Sequence, residues 1–214
     1  MMKVTTGKFK GRNICMPKGI RPTQGKARKA IFDILGDIAG LSFLELFAGS
    51  GAVGIEAASR GAQEVVFVEN NSNVLKVLSS NAAGILGTEY LPGGRQVAYY
   101  ILAQSVESAL ARLGREKKKF DLIFLDPPYY IPKAPRSETQ VAGHSGSTAA
   151  GNSEPLLKKT LQTLEGYAIL APNGLIIAQH FKKENLPDSL GVLSLFRQYR
   201  YAQTLLSLYR KKEL

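Results

Sequence analysis

Glu45-Leu46-Phe47-Ala48-Gly49-Ser50-Gly51-Ala52-Val53-Gly54 is the stretch whose reading decides the fold. An apolar run over 41–47 leads into it, and a helix is expected to leave it over 52–60. Glycines at 49, 51 and 54 spell G-x-G-x-x-G at that strand-to-helix junction. Glycine lets the chain turn tightly and approach a bound molecule closely, and the first turn of the helix offers unpaired N–H donors. Glu69 closes the next apolar run, twenty positions after Gly49, where a carboxylate can accept both hydroxyls of a ribose. These features point to a cofactor containing adenosine. They leave a nicotinamide dinucleotide open, and also a glycine turn that merely closes a tight junction.

Outward from this stretch the same alternation continues. Strands are expected over 64–69, 96–102, 121–125 and 174–179, helices over 72–86, 105–113 and 154–164, and a final pair of strands within 191–210. Strands alternating with helices imply an α/β fold. Its sheet is parallel and covered on both faces, with ligands outside the C-terminal strand ends. Ahead of it, residues 3–14 read as a short β-hairpin arm. Residues 26–37 read as a helix, with Ala27, Ala30, Ile31, Ile34 and Ile38 at helical spacing. The chain is thus expected to divide into a basic arm and helix, 1–40, and a main domain, 41–214. The segment 131–153 is rich in Ser, Gly, Ala, Thr and Pro without apolar periodicity. It reads as a disordered insertion or as a lid that orders on substrate binding.

The second informative motif is Asp126-Pro127-Pro128-Tyr129, which follows the apolar run Leu122-Ile123-Phe124-Leu125 and so falls at the C-terminal edge of the sheet. An exocyclic amine on a base is a poor nucleophile because its lone pair is delocalised into the ring. A carboxylate and a prolyl carbonyl that accept its two hydrogens favour the tetrahedral geometry needed to attack a methyl sulfonium. Asp126 can also take the proton released. The two prolines hold the backbone with little entropic cost, and Tyr129 offers a ring face for a base removed from its stack.

Composition narrows the partner. The 214 residues are 44% hydrophobic, enough for one ordinary α/β core with a small extension, and no apolar run reaches a bilayer-spanning length. The N-terminus lacks the apolar stretch of a signal peptide, and the single Cys15 cannot form an internal disulfide, so a soluble cytoplasmic protein is expected. With two histidines, His144 and His180, and one cysteine, no metal site is expected. Lys and Arg number 28 against 17 Asp and Glu, a net charge of +11. Residues 1–30 carry Lys3, Lys8, Lys10, Arg12, Lys18, Arg21, Lys26, Arg28 and Lys29 and no acid. Such clustering is the footprint of a polyanion-binding surface, with a plain solvated basic face as the alternative. Lys117-Lys118-Lys119 reads as a solvated turn.

The sequence resembles a known family at this point. Asp126-Pro127-Pro128-Tyr129 and the loop 45–54 are similar to the motifs of amino-methyltransferases acting on nucleic-acid bases. Gly7-Lys8-Phe9-Lys10-Gly11-Arg12, Arg21-Pro22-Thr23 and the glycine loop with Glu56-Ala57 resemble, more narrowly, the bacterial ribosomal RNA small-subunit guanine-N2 methyltransferase D family. The resemblance implies a Rossmann-like sheet of seven strands, the last antiparallel, and S-adenosyl-L-methionine as cofactor. Glu45, Phe47, Ala48, Gly49, Ser50, Gly51, Gly54, Glu69, Asn70, Gln104 and Ser105 would then lie at the cofactor. Asp126, Pro127, Pro128 and Tyr129 would hold the target base. Lys8, Lys10, Arg12, Arg21, Thr23, Lys26, Arg28 and Lys29 would contact RNA. The implied activity is methylation of a guanine N2 in 16S ribosomal RNA within a ribosomal particle, by a monomer without metal. Another target such as DNA adenine N6, or a non-catalytic RNA-binding or ribosome-assembly protein, stands as the alternative. The chain departs from the family pattern at Ala103-Gln104-Ser105, at Gln179-His180 and at Tyr201-Ala202-Gln203-Thr204.

Overall fold

The computed structural model describes residues 2–17, 25–87, 97–128 and 155–212, with side chains from Arg28 onward in the first helix. Arg21, Thr23, the Lys26 side chain, Tyr129 and the segment 131–153 lie outside the described residues.

The opening arm pairs β1 (Met2–Lys3) with β2 (Asn13–Ile14) and leads to helix α1 (Gly25–Leu35). Then come β3 (Ser42–Leu46), α2 (Ala52–Ser59), β4 (Glu64–Glu69), α3 (Ser72–Leu86), β5 (Ala98–Ala103), α4 (Val106–Arg115) and β6 (Phe120–Leu125). Helix α5 (Leu156–Tyr167) and strands β7 (Leu170–Phe181), β8 (Ser189–Leu190), β9 (Leu193–Tyr201) and β10 (Thr204–Lys211) complete the chain. The main sheet has the order β5-β4-β3-β6-β7-β10-β9-β8. Strands β3 to β7 pair in parallel, and β10 is antiparallel to both β7 and β9. This is the α/β fold expected, with one strand more than the seven read from the sequence. The extra one, β8, is two residues long and folds back on β9 through Gly191 at φ 50°. Strand β7 also starts earlier than residue 174, because Leu170 already pairs with Phe120, and Pro172 and Gly174 lie in an irregular stretch of β7 before regular pairing resumes at Leu122↔Leu175.

Every residue of β3 is buried, as expected of a central parallel strand covered on both faces. One apolar cluster joins Phe43, Phe67, Phe124 and Leu208 to α2, α3 and α1, and it takes in Val4, Phe9 and Ile14 of the arm. The other joins Leu44, Ile123 and Tyr209 to α4 and α5 through Leu110, Leu113, Leu157 and Leu161. The arm therefore shares the core of the main domain. Among the described residues no helix is long and apolar enough to cross a membrane.

Candidate active site

Parallel pairing brings the C-terminal ends of β3, β4, β5 and β6 to one edge of the sheet, where they border a cleft of about 650 Å³. The loop after β3 forms its floor. Phe47 holds a left-handed conformation at φ 59°, rare for a residue with a side chain and a sign of a backbone held by its surroundings. The Gly49 N–H donates to Glu69 Oε2 at 3.0 Å, while Glu69 Oε1 accepts from the N–H groups of Asn70 and Asn71, each at 2.9 Å. The carboxylate at the end of β4 is thus locked onto the glycine loop. Ser50 is buried, and its carbonyl accepts from Asn81 Nδ2 at 2.9 Å. The same Asn81 exchanges hydrogen bonds with the Cys15 backbone, which ties the end of the arm to this loop.

Glu45, Phe47, Ala48, Gly49, Ser50, Glu69, Asn70, Gln104 and Ser105 all border the cleft. Gly51 and Gly54 do not; they stand behind the loop. A Cβ on Gly51 would meet Leu78 Cδ1 at 2.5 Å, and one on Gly54 would meet Phe67 Cε1 at 2.5 Å. Their smallness lets α2 pack against β4 and α3. Gly54 has a second role, because its N–H donates to Glu45 Oε2 at 2.8 Å. Glu45 is 3% exposed, and burial pushes its carboxyl up to about 8, against the hydrogen bonds from Gly54 and Val53 and with Asp126 adding to the rise. Two first-turn donors of α2, the N–H groups of Val53 and Gly54, are therefore already taken by a side chain. Met16, Asn71, Glu107 and Leu156 also line the cleft and were not legible from spacing.

Asp126, Pro127 and Pro128 border the same cleft, at the end of the strand next to β3. The pairing Leu125↔Ala178 sets Gln179 beside Asp126, and Gln179 Nε2 donates to Asp126 Oδ2 at 2.9 Å. This partner was missed, although the adjacency of β6 and β7 carries the signal. Pro127 lacks an N–H, so the ladder stops there and the carboxylate stands at the strand end. Glu45, Glu69, Glu107 and Asp126 give the described lining four carboxylates and no Lys or Arg. Gln104 Nε2 and Gln179 Oε1 are buried without a hydrogen-bond partner.

The expected RNA contacts fare unevenly. Lys8, Lys10 and Lys29 are exposed. Arg12 is half-buried and its Nη1 donates to the carbonyls of Gly84 and Ile85 at the end of α3. Arg28 contradicts its expected role as a surface cation. It is 1% exposed, donates to Met2 Sδ and to the Lys3 carbonyl, and lies 3.7 Å from Glu56. A guanidinium enclosed between the arm and α2 does not reach a phosphate; it fastens the arm.

Comparison with known proteins agrees with this architecture. A family model described as "Conserved hypothetical protein 95" matches residues 2–142. The chain is 30% identical to the Bacillus subtilis (strain 168) protein named "Putative rRNA methyltransferase YlbH", over 99% of this chain and 100% of that one. It is 26% identical to "Ribosomal RNA small subunit methyltransferase D" of Escherichia coli (strain K12), over 99% of this chain and 90% of that one. A solved structure called "Putative methyltransferase yhhF from Escherichia coli" matches with a TM-score of 0.73 and 27% identity, over 99% of this chain and 98% of that one.

Proposed function

The chain belongs to the conserved hypothetical protein 95 family, and from that footing we propose that it is a methyltransferase that uses S-adenosylmethionine to methylate the exocyclic N2 of a guanine in small-subunit ribosomal RNA. The observation that carries this reading is the meeting, in one cleft, of the Glu69-bound glycine loop with an Asp126 carboxylate oriented by Gln179. The printed names of the relatives support a ribosomal RNA substrate.

The residues present fit such a cofactor. Glu69, Glu107 and Asp126, with Glu45 held largely neutral by burial and no cation among the described lining, favour a positively charged ligand over a dinucleotide carrying two phosphates. Glu45 already fills the α2 end where a pyrophosphate would sit. Glu69 stands at the end of β4 to accept ribose hydroxyls. Gln104 supplies a buried donor without a protein partner for an acceptor on the base. When bound, S-adenosylmethionine supplies an electrophilic methyl group on a sulfonium. Asp126 and the Pro127 carbonyl accept the amino hydrogens of the guanine, which frees its lone pair for attack. As the new N–C bond forms, the methyl–sulfur bond would break, leaving the cofactor as its neutral thioether, and Asp126 takes up the proton that the nitrogen loses. The same reading has the protein acting as a cytoplasmic monomer on RNA within a ribosomal particle.

The test is transfer of labelled methyl from S-adenosylmethionine to small ribosomal subunits lacking the modification, followed by nucleoside analysis. Wild type should yield N2-methylguanosine, and Asp126→Ala should lose at least a hundredfold in kcat while still binding the cofactor. An Asp126→Ala rate equal to wild type sinks the catalytic assignment. A methylated adenosine in the product redirects the target.

A further inference from the structure

Both ends of the chain are basic. Residues 189–212 hold Arg197, Arg200, Arg210, Lys211 and Lys212 and no acid. With the nine cations of residues 1–30 set aside as well, residues 31–188 hold 14 Lys and Arg against 16 acids, so the body that carries the cleft is net negative. The C-terminal cations sit on the β9–β10 hairpin at the edge of the sheet. Beyond Ser194 the outer edge of β9 has no partner strand among the described residues.

That edge also carries aromatic rings. Phe196 is 43% exposed and lies between two guanidiniums, with Arg210 at 4.4 Å and Arg197 at 5.3 Å from its ring centroid. A register shift opposite Leu208/Tyr209 makes Phe196 the inserted residue of a bulge. Tyr199 and Tyr201 follow along the same strand, and Arg197 Nη1 donates to Tyr199 Oη at 3.1 Å. Cations on an edge strand guard it against pairing with other chains. Phe196, exposed while Tyr199 and Tyr201 lie half-buried against the core, works against that purpose, and an exposed ring flanked by arginines is what single-stranded RNA is stacked on and held by.

The placement is apt. Arg197 pairs with Leu208 and Tyr199 with Leu206, so these residues share the sheet face whose core includes Val4, Phe9 and Ile31 of the arm and first helix. The start of β10 pairs with the end of β7, and Gln179 there bonds Asp126. From β6 to β9 is three interstrand steps of about 4.8 Å, or about 14 Å, a span of a few nucleotides.

Resting on the ribosomal RNA reading above, we propose that the β9 edge, built on Phe196, Arg197 and Arg210, is a second RNA-contacting surface that holds the strand flanking the target nucleotide. Binding of the full chain to a labelled single-stranded RNA across a salt series, with methyl transfer to small subunits measured in parallel, tests it. Arg197→Gln with Arg210→Gln should weaken RNA binding about tenfold near 0.1 M salt and lower the slope of log K against log salt by roughly 1.4. Phe196→Ala should weaken binding about fivefold or more and leave that slope unchanged. All of these should raise KM and spare kcat. Arg112→Gln with Arg115→Gln, an equal loss of charge on α4 across the sheet, should leave the three readouts at wild-type values. Wild-type affinity, slope and KM in both edge variants overturn the proposal. So does a concentration-dependent dimer of the wild type in sedimentation that the edge substitutions abolish. If the edge variants lose RNA affinity but wild type transfers no methyl to the subunits, the substrate reading fails and the surface stands.

Discussion

Glu45 shows how one buried carboxyl serves both the fold and the cleft. It accepts the N–H of Gly54, faces the same cavity as Asp126, and is raised from 4.5 to about 8 by burial. A carboxyl raised on folding is stabilising in its neutral form. Its contribution is complete below about 4.5 and is lost as pH climbs through about 8. Glu45→Gln keeps an acceptor for Gly54 and cannot ionise. The melting temperatures of wild type and variant should therefore diverge between those two pH values, with wild type falling relative to Glu45→Gln. Parallel curves across that window would mean that Glu45 is already ionised in the folded protein. A cationic ligand beside Glu45 favours the ionised form, so cofactor affinity in wild type should rise with pH over the same range and the variant should lose that rise.

At the scale of elements, the arm is held by helix α2. All eight residues of α2 are buried, so it needs a covering layer on the side away from the sheet, and the arm supplies it. The fastening is Glu56, at 0% exposure. It accepts from Thr5 N at 2.8 Å, Thr5 Oγ1 at 2.7 Å and Thr6 N at 3.0 Å, and pairs with Arg60 at 3.2 Å. Ser59 adds a hydrogen bond from Phe9 N at 2.8 Å. Glu56→Ala would leave buried Arg28 with Glu45 as its remaining acidic neighbour and strand three arm donors. We expect a loss of about 3–5 kcal/mol in thermal or denaturant unfolding, together with faster proteolysis within residues 2–17. A loss under about 1 kcal/mol, with the arm still protected, would show that apolar packing of Val4 and Phe9 holds the arm by itself. The β6 strand end shows the same dependence on a neighbour: Asp126 is aimed by Gln179 of β7, an element distant in sequence.

Across the whole molecule, charge is sorted by location. A net charge of +11 conceals an acidic cleft lining between two basic ends. Phosphate contacts weaken with salt, so Lys8→Gln with Lys10→Gln should flatten the salt dependence of RNA binding by roughly 1.4 in slope and leave thermal stability near wild type. Unchanged slope in that double variant would remove the exposed arm lysines from the interface. Arg12 belongs to a different class, because its contacts with the end of α3 make its loss a packing change as well.

What the sequence determined by itself was whatever chain-local physics controls. The alternation of apolar runs and helices set the α/β fold, and β4 and α3 appear with the bounds read from their pattern. The Gly-rich loop and Asp126-Pro127-Pro128 were legible because strand ends and prolines act on their own neighbours. Tertiary structure alone decided which residues meet from distant parts of the chain. It buried Arg28 against Glu56, moved Gly51 and Gly54 from the cofactor side to the packing side, set Gln179 on Asp126, and turned β9 into a basic aromatic edge. The physical reason is that burial and pairing depend on strand order and register. Those are settled by the packing of the two apolar layers on the sheet, and no local spacing encodes them.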